Sequence, residues 1–174
     1  MPYITQELLA GMTLEPVISV IPEPQEKAFV KIQRLVAVRE RCAKELRERL
    51  LRDGFSAEDA DAAIERALAC GLVDDIRFAG ILIRSRIVQG RGKAGIVSEL
   101  EKLNILAGDV PEWPDGFFQD EDPELERALD LLRRKPPRAK NVRNAAFRRL
   151  VTKGYSHDVA ATASRVFVES LGDF

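Results

Sequence analysis

Between Arg133 and Arg149 the chain carries eight cations, Arg133, Arg134, Lys135, Arg138, Lys140, Arg143, Arg148 and Arg149, and no acid. Side chains of this kind neutralise phosphates, and such contacts do not depend on base sequence and weaken as salt rises. The same run could meet acidic surface on a partner protein, or Asp115, Asp120, Glu121 and Asp122 of this chain. Contact with DNA or a partner is the favoured reading. Lys140, Arg143 and Phe147 stand at i, i+3 and i+7, which would align them on one helical face, although Phe147 itself reads as core.

A second basic group, Arg84, Arg86, Arg91 and Lys93, gathers around Gly90, Gly92 and Gly95. Glycines let a backbone approach an anionic partner closely, so contact within a partner's groove is one reading and a solvated basic turn is the other. The order Gln89-Gly90-Arg91-Gly92-Lys93 lacks the spacing of a phosphate loop, which argues against nucleotide binding.

Catalytic chemistry has weaker support. Asp74 and Asp75 are paired carboxylates, but they precede a helical pattern whose first N–H groups need acceptors, and capping accounts for them. His157 is the sole histidine, without a second imidazole for a metal. Cys42 and Cys70 lack metal-like spacing and read as small core residues in a reducing compartment. No metal, cofactor or enzymatic activity is expected.

Net charge is −1, with 27 Lys and Arg against 28 Asp and Glu, but the balance varies along the chain. Residues 24–73 are nearly neutral, 74–123 carry −4 and 124–174 carry +5. Such polarity suits a protein that lays basic surface along something anionic. The first 26 residues contain no Lys or Arg, so they lack the positive region of a signal peptide, and no apolar run reaches membrane-spanning length. A cytoplasmic protein is expected.

The elements that must position these cations recur with a period of 50 residues. Leu50, Leu100 and Leu150 mark the period; Gly54, Asn104 and Gly154 follow, each tolerant of a left-handed stop, and then Phe55, Ile105 and Tyr155. Ala28, Phe78 and Ala128 share a register, as do Ile32, Leu82 and Leu132, and the cations Lys27, Arg77, Arg127 and Arg34, Arg84, Arg134. The chain divides into an extension at 1–23, with a possible strand at Val17 to Ile21, and three-helix units at 24–73, 74–123 and 124–174. Helices are predicted from about Gln25 to Val38 and Arg41 to Arg52, with Ser56 capping a third; Asp74, Asp122 and Ser156 cap later ones, and a helix runs from about Arg138 to Lys153. Pro111, Pro114 and Gly116 interrupt the third helix of the middle unit, where Trp113, Phe117 and Phe118 fill the same slot. The fold is therefore all-α, an elongated array of three tandem helix-turn-helix-like units, roughly 50 Å or more in length. Polar, capped ends favour a monomer.

The segment Gly71-Leu72-Val73-Asp74-Asp75-Ile76-Arg77-Phe78-Ala79 resembles the hallmark of the RecX family, bacterial modulators of the RecA recombinase. The Gly54-Phe55 and Gly154-Tyr155 turns and the stretch Gly92-Lys93-Ala94-Gly95-Ile96-Val97-Ser98-Glu99-Leu100 agree with that family's three tandem repeats. Two departures are Asn104, where the family uses glycine, and the longer, broken stretch Leu106 to Asp120. The resemblance covers about 150 of the 174 residues. It implies binding in the groove of the RecA–DNA filament across neighbouring protomers, with restraint of strand exchange, ATP hydrolysis and coprotease activity, hence regulation of recombination, DNA repair and the SOS response. The rival reading is a sequence-independent nucleic-acid-binding repeat protein, and a third is a protein-interaction scaffold.

Overall fold

The repeat signature has a direct backbone cause. Gly54, Asn104 and Gly154 adopt φ of +92°, +62° and +86°, the left-handed conformation that ends a helix. The following N–H groups of Phe55, Ile105 and Tyr155 each donate back to the carbonyl of Leu50, Leu100 or Leu150, at 3.1, 3.0 and 3.1 Å. These are three copies of one Schellman stop, and each brings an apolar residue down onto the leucine it closes. Asn104 serves in place of glycine because its short side chain tolerates the left-handed region.

The computed structural model describes residues 23–118 and 124–172. Eight α-helices run along them: α1 Glu23–Val36, α2 Ala43–Arg52, α3 Ala57–Ala69, α4 Asp75–Val88, α5 Lys93–Lys102, α6 Glu124–Arg134, α7 Val142–Thr152 and α8 His157–Gly172. No strand occurs among the described residues, and none of their helices is long and apolar enough to cross a membrane. The expected strand at 17–21 and the Asp122 cap lie outside the described residues. Ser56 accepts from the Asp59 N–H at 3.0 Å and Asp74 from those of Ile76 and Arg77 at 2.9 Å, as their spacing requires. Ser156 accepts more loosely from the Val159 N–H, at 3.3 Å.

Buried side chains fall into three clusters. Phe29, Ile32, Leu46, Leu50 and Ile64 centre the first; Phe78, Ile83, Ile96, Leu100 and Ile105 the second; Leu129, Leu132, Leu150, Tyr155 and Phe167 the third. The middle unit lacks a third α-helix: a 3₁₀ turn at Ala107–Asp109 stands there, and Trp113, Phe117 and Phe118 pack against the second cluster in its stead. Of the two cysteines only Cys42 is core, and burial pushes its thiol pKa up. Cys70 follows the last turn of α3 and is exposed, which corrects its reading as core.

Neighbouring units are joined at both junctions through related positions, with one contact of the same kind and others made by different groups. The first N–H of α2, at Ala43, donates to the Asp75 carboxylate at 2.7 Å; fifty residues on, the Lys93 N–H that opens α5 donates to Glu124 at 2.7 Å. Arg77 reaches back to Glu40 at 2.7 Å, and Arg127, its equivalent, to the Arg91 carbonyl at 2.6 Å. The start of each second helix also meets the next unit's helix stop: Lys44 Nζ donates to the Lys102 carbonyl at 2.6 Å, while the Gly92 and Gly95 N–H groups donate to the carbonyls of Lys153 and Gly154 at 3.0 and 2.8 Å. Helix-start N–H groups that lack partners in their own helix thus find them in the next unit. In α7 the Asn141 side chain accepts from the Asn144 N–H at 2.9 Å, so that helix start is capped from within its own unit. These contacts join the three units into a helical repeat array in which each unit touches the next.

Candidate partner-binding surface

The twelve cations singled out in the sequence do not form one surface, because the fold commits several of them to internal contacts. Arg86 on α4 lies against Glu99 on α5, its Nε 2.8 Å from Oε2, with both side chains largely shielded from water. The guanidinium holds the Glu99 carboxyl below its usual range, and the pair ties two helices of the middle unit together. Because the folded-state pKa of Glu99 is depressed, its stabilisation is present above the ordinary carboxylate pKa and is lost as pH falls through the lowered value. Glu99→Gln is therefore expected to cost about 1–2 kcal/mol at neutral pH, with the gap to the parent closing in acid, as urea unfolding across pH would show.

Arg84 and Lys93 hold the irregular segment. Arg84 lies over the Phe117 ring at 5.1 Å and Lys93 over Phe118 at 5.3 Å, with Arg127 on Phe118 at 4.6 Å. Arg84 remains exposed, whereas Arg91 and Lys93 are half-buried at the second junction. The glycines among them serve that junction rather than an outside anion. A Cβ on Gly92 would lie 2.4 Å from the Gly154 carbonyl oxygen, and one on Gly95 would lie 2.6 Å from the Gly154 Cα.

The third unit keeps its cations on the surface. Arg133 pairs with Asp130 at 3.2 Å and Arg134 approaches the same carboxylate at 3.7 Å, both solvent-exposed and correspondingly weak. Among the described residues, Lys135, Arg138, Lys140, Arg143 and Arg148 are exposed and have no acidic partner. Pro136 and Pro137 stop α6, and α7 begins only at Val142, so Lys140 lies in the connecting corner rather than on a helical face with Arg143 and Phe147. Lys140 and Arg143 instead flank a shallow cleft that includes Val168 of α8. Arg149 folds inward, its Nη1 donating to the Lys135 carbonyl, and thereby fixes the corner to the end of α6. Phe147 packs on the third core, as expected, with its ring 5.9 Å from that of His157. The acids 120–122 offered as internal partners lie outside the described residues; Asp115 is exposed.

The two carboxylates of the Asp74-Asp75 pair have separate tasks. Asp74 caps its own helix and Asp75 the helix of the preceding unit, a role that sequence spacing does not reveal because it spans 32 residues. Arg34, which the repeat places in register with Arg84 and Arg134, is exposed as they are. No group of three or more His, Cys, Asp or Glu that could hold a metal occurs among the described residues.

Residues 28–66 match the family model for the first three-helix domain of RecX. A regulatory protein RecX of Mycobacterium ulcerans is 32% identical over 146 residues, which cover 80% of this chain and 83% of the relative. The regulatory protein RecX of Amycolatopsis mediterranei is 29% identical over 166 residues, covering 86% of this chain and 90% of that protein. The crystal structure of RecX from Lactobacillus salivarius superposes with a TM-score of 0.61 at 18% identity, across 84% of this chain and 98% of that one, a likeness of fold. Three tandem helical units with shared stops, the Asp74-Asp75 pair that caps two helices, and relatives matched over most of their length have one reading: the chain belongs to the RecX family of regulatory proteins.

Proposed function

We propose that this chain binds the RecA–DNA filament in the cytoplasm and restrains the recombinase, its ATPase and its coprotease activity, acting as a monomer and without catalysis of its own. Units at 24–73, 74–123 and 124–174 lie along the filament groove in this reading. The observation that carries it is the corner at Arg138, Lys140, Arg143 and Arg148: exposed cations without acidic partners, set on a repeat array of a regulatory family. An array with repeated junctions suits a partner larger than one subunit, and unpaired cations suit the phosphates within it.

Substoichiometric chain is expected to lower the DNA-dependent ATPase of the RecA from the same bacterium. An unchanged rate over a wide range of concentrations would sink the proposal. The same unpaired cations also support the rival, direct sequence-independent binding of nucleic acid, and bare DNA separates the two. The rival requires tight binding whose logarithm falls steeply with salt in the absence of RecA, whereas the regulator requires a filament for its effect.

A further inference from the structure

We propose that the first junction is a hinge and the second a rigid joint, so that the first unit swings while the second and third move as one body. This rests on how the two junctions are packed and stands apart from the filament reading. Both are pinned along one edge, where the second helix of one unit starts against the first helix of the next. At the first junction the Ala43 N–H meets Asp75 and Arg77 meets Glu40, each at 2.7 Å, and Cys42 is buried in the second core. At the second, the Lys93 N–H meets Glu124 at 2.7 Å and Arg127 the Arg91 carbonyl at 2.6 Å.

The junctions differ along the other edge, where the start of the second helix faces the next unit's helix stop. At the second junction two backbones touch there: the Gly92 and Gly95 N–H groups donate to the carbonyls of Lys153 and Gly154 at 3.0 and 2.8 Å, and a Cβ on Gly95 would lie 2.6 Å from the Gly154 Cα. Phe118 of the middle unit adds a brace, lying under Arg127 of the third at 4.6 Å. Fifty residues earlier the two glycine positions are Cys42 and Glu45, whose side chains leave no room for so close an approach. Among the described residues no backbone-to-backbone hydrogen bond joins the start of α2 to Leu103 or Asn104; the tie is Lys44 Nζ, 2.6 Å from the Lys102 carbonyl and 3.4 Å from Asn104 Oδ1. A lysine stem with four turning bonds is a compliant tether, and paired backbones are not. Space remains around it. A cavity of 350 Å³ lies between Ile64 and Leu68 of α3 and the Leu103-Asn104 stop, and another of 440 Å³ is lined by Glu45 and Leu103. Leu68, in the register of Phe118, is 42% exposed. A swing about the pinned edge therefore meets open space rather than packed side chains, and closing the smaller cavity carries Leu68 toward Leu103 and out of water. Hinges of this kind turn at a few residues between rigid bodies. A moving first unit lets one array fit partners whose contact points differ in spacing, while the cations of the third unit keep their place relative to the middle one.

Distances between nitroxide labels on the full chain, read by double electron–electron resonance, test the asymmetry. Glu58, Gly108 and Asp158 are exposed and one repeat apart, and a Cβ on Gly108 meets nothing within 4 Å. Glu58→Cys with Gly108→Cys spans the first junction and Gly108→Cys with Asp158→Cys the second, in a Cys70→Ser background with the buried Cys42 left in place. The label at 108 is common to both pairs, so its own freedom enters both widths. The 58–108 distribution is expected to be at least about twice as wide as the 108–158 one. Gly95→Ala should broaden 108–158 alone. If that variant loses helicity, Lys44→Met, which keeps the stem and removes the donor, should broaden 58–108 alone. Equal widths in the parent overturn the hinge, as does a Lys44→Met chain whose 58–108 distribution matches the parent's.

Discussion

Gly154→Ala should be among the most damaging single-methyl additions in this chain, while the equivalent Gly54→Ala should be mild. Both glycines hold positive φ at the same stop of the repeat, +86° and +92°, so alanine incurs the same left-handed penalty at each, about 1–2 kcal/mol. They differ in surroundings. A Cβ on Gly54 meets nothing within 4 Å, whereas one on Gly154 falls 2.4 Å from the Gly95 Cα and 2.9 Å from its nitrogen. That nitrogen donates to the Gly154 carbonyl, so the backbones cannot part without losing the hydrogen bonds that join the second and third units. The added clash raises the expected cost at Gly154 to about 3 kcal/mol or more. Urea unfolding measures both. Since units in a solenoid are stabilised by their neighbours, the third unit of Gly154→Ala is also expected to unfold as a separate, earlier step. Equal losses for the two variants would show that the junction contributes nothing beyond the turn.

Reversal of charge at the third unit's corner is expected to have the largest functional effect. Arg138, Lys140 and Arg143 are exposed and have no acidic partner among the described residues, so their replacement by Glu should leave stability within about 0.5 kcal/mol per site. If these cations meet the DNA of a filament, the triple variant should need at least about tenfold more protein to lower RecA ATPase by half. Its dependence on salt should also flatten, by about two units of log–log slope for three lost single-strand phosphate contacts. Arg86→Ala is the informative contrast: its partner is Glu99 within the fold, so it should alter stability and leave the salt slope alone. A triple variant as potent as the parent, with the parent's salt slope, would remove this corner from the interface.

Much of the architecture is legible in local sequence because it depends on local rules. The stops at Gly54, Asn104 and Gly154 require a left-handed residue followed by an apolar one, and the caps Ser56 and Asp74 require a short acceptor before a helix; each is satisfied within a few residues. Boundaries shifted where competing local choices were close. α7 begins at Val142 rather than near Arg138 because Asn141 supplies the cap and the residues after Pro137 remain outside the helix.

The cations are a different matter. Arg86 and Arg138 are indistinguishable as letters, yet one is held by Glu99, 13 residues away, and the other has no acidic partner among the described residues. Likewise Gly92, Lys93 and Gly95 suggest a loop awaiting an anion, but the acceptors their N–H groups find are two neutral carbonyls and one carboxylate of the next unit. By itself the sequence determined the repeat, its helices and stops, and the family. Only the tertiary structure decided which charges are consumed in joining units and which are left at the surface, because ion pairs and backbone contacts between units depend on distances in space that spacing along the chain does not encode.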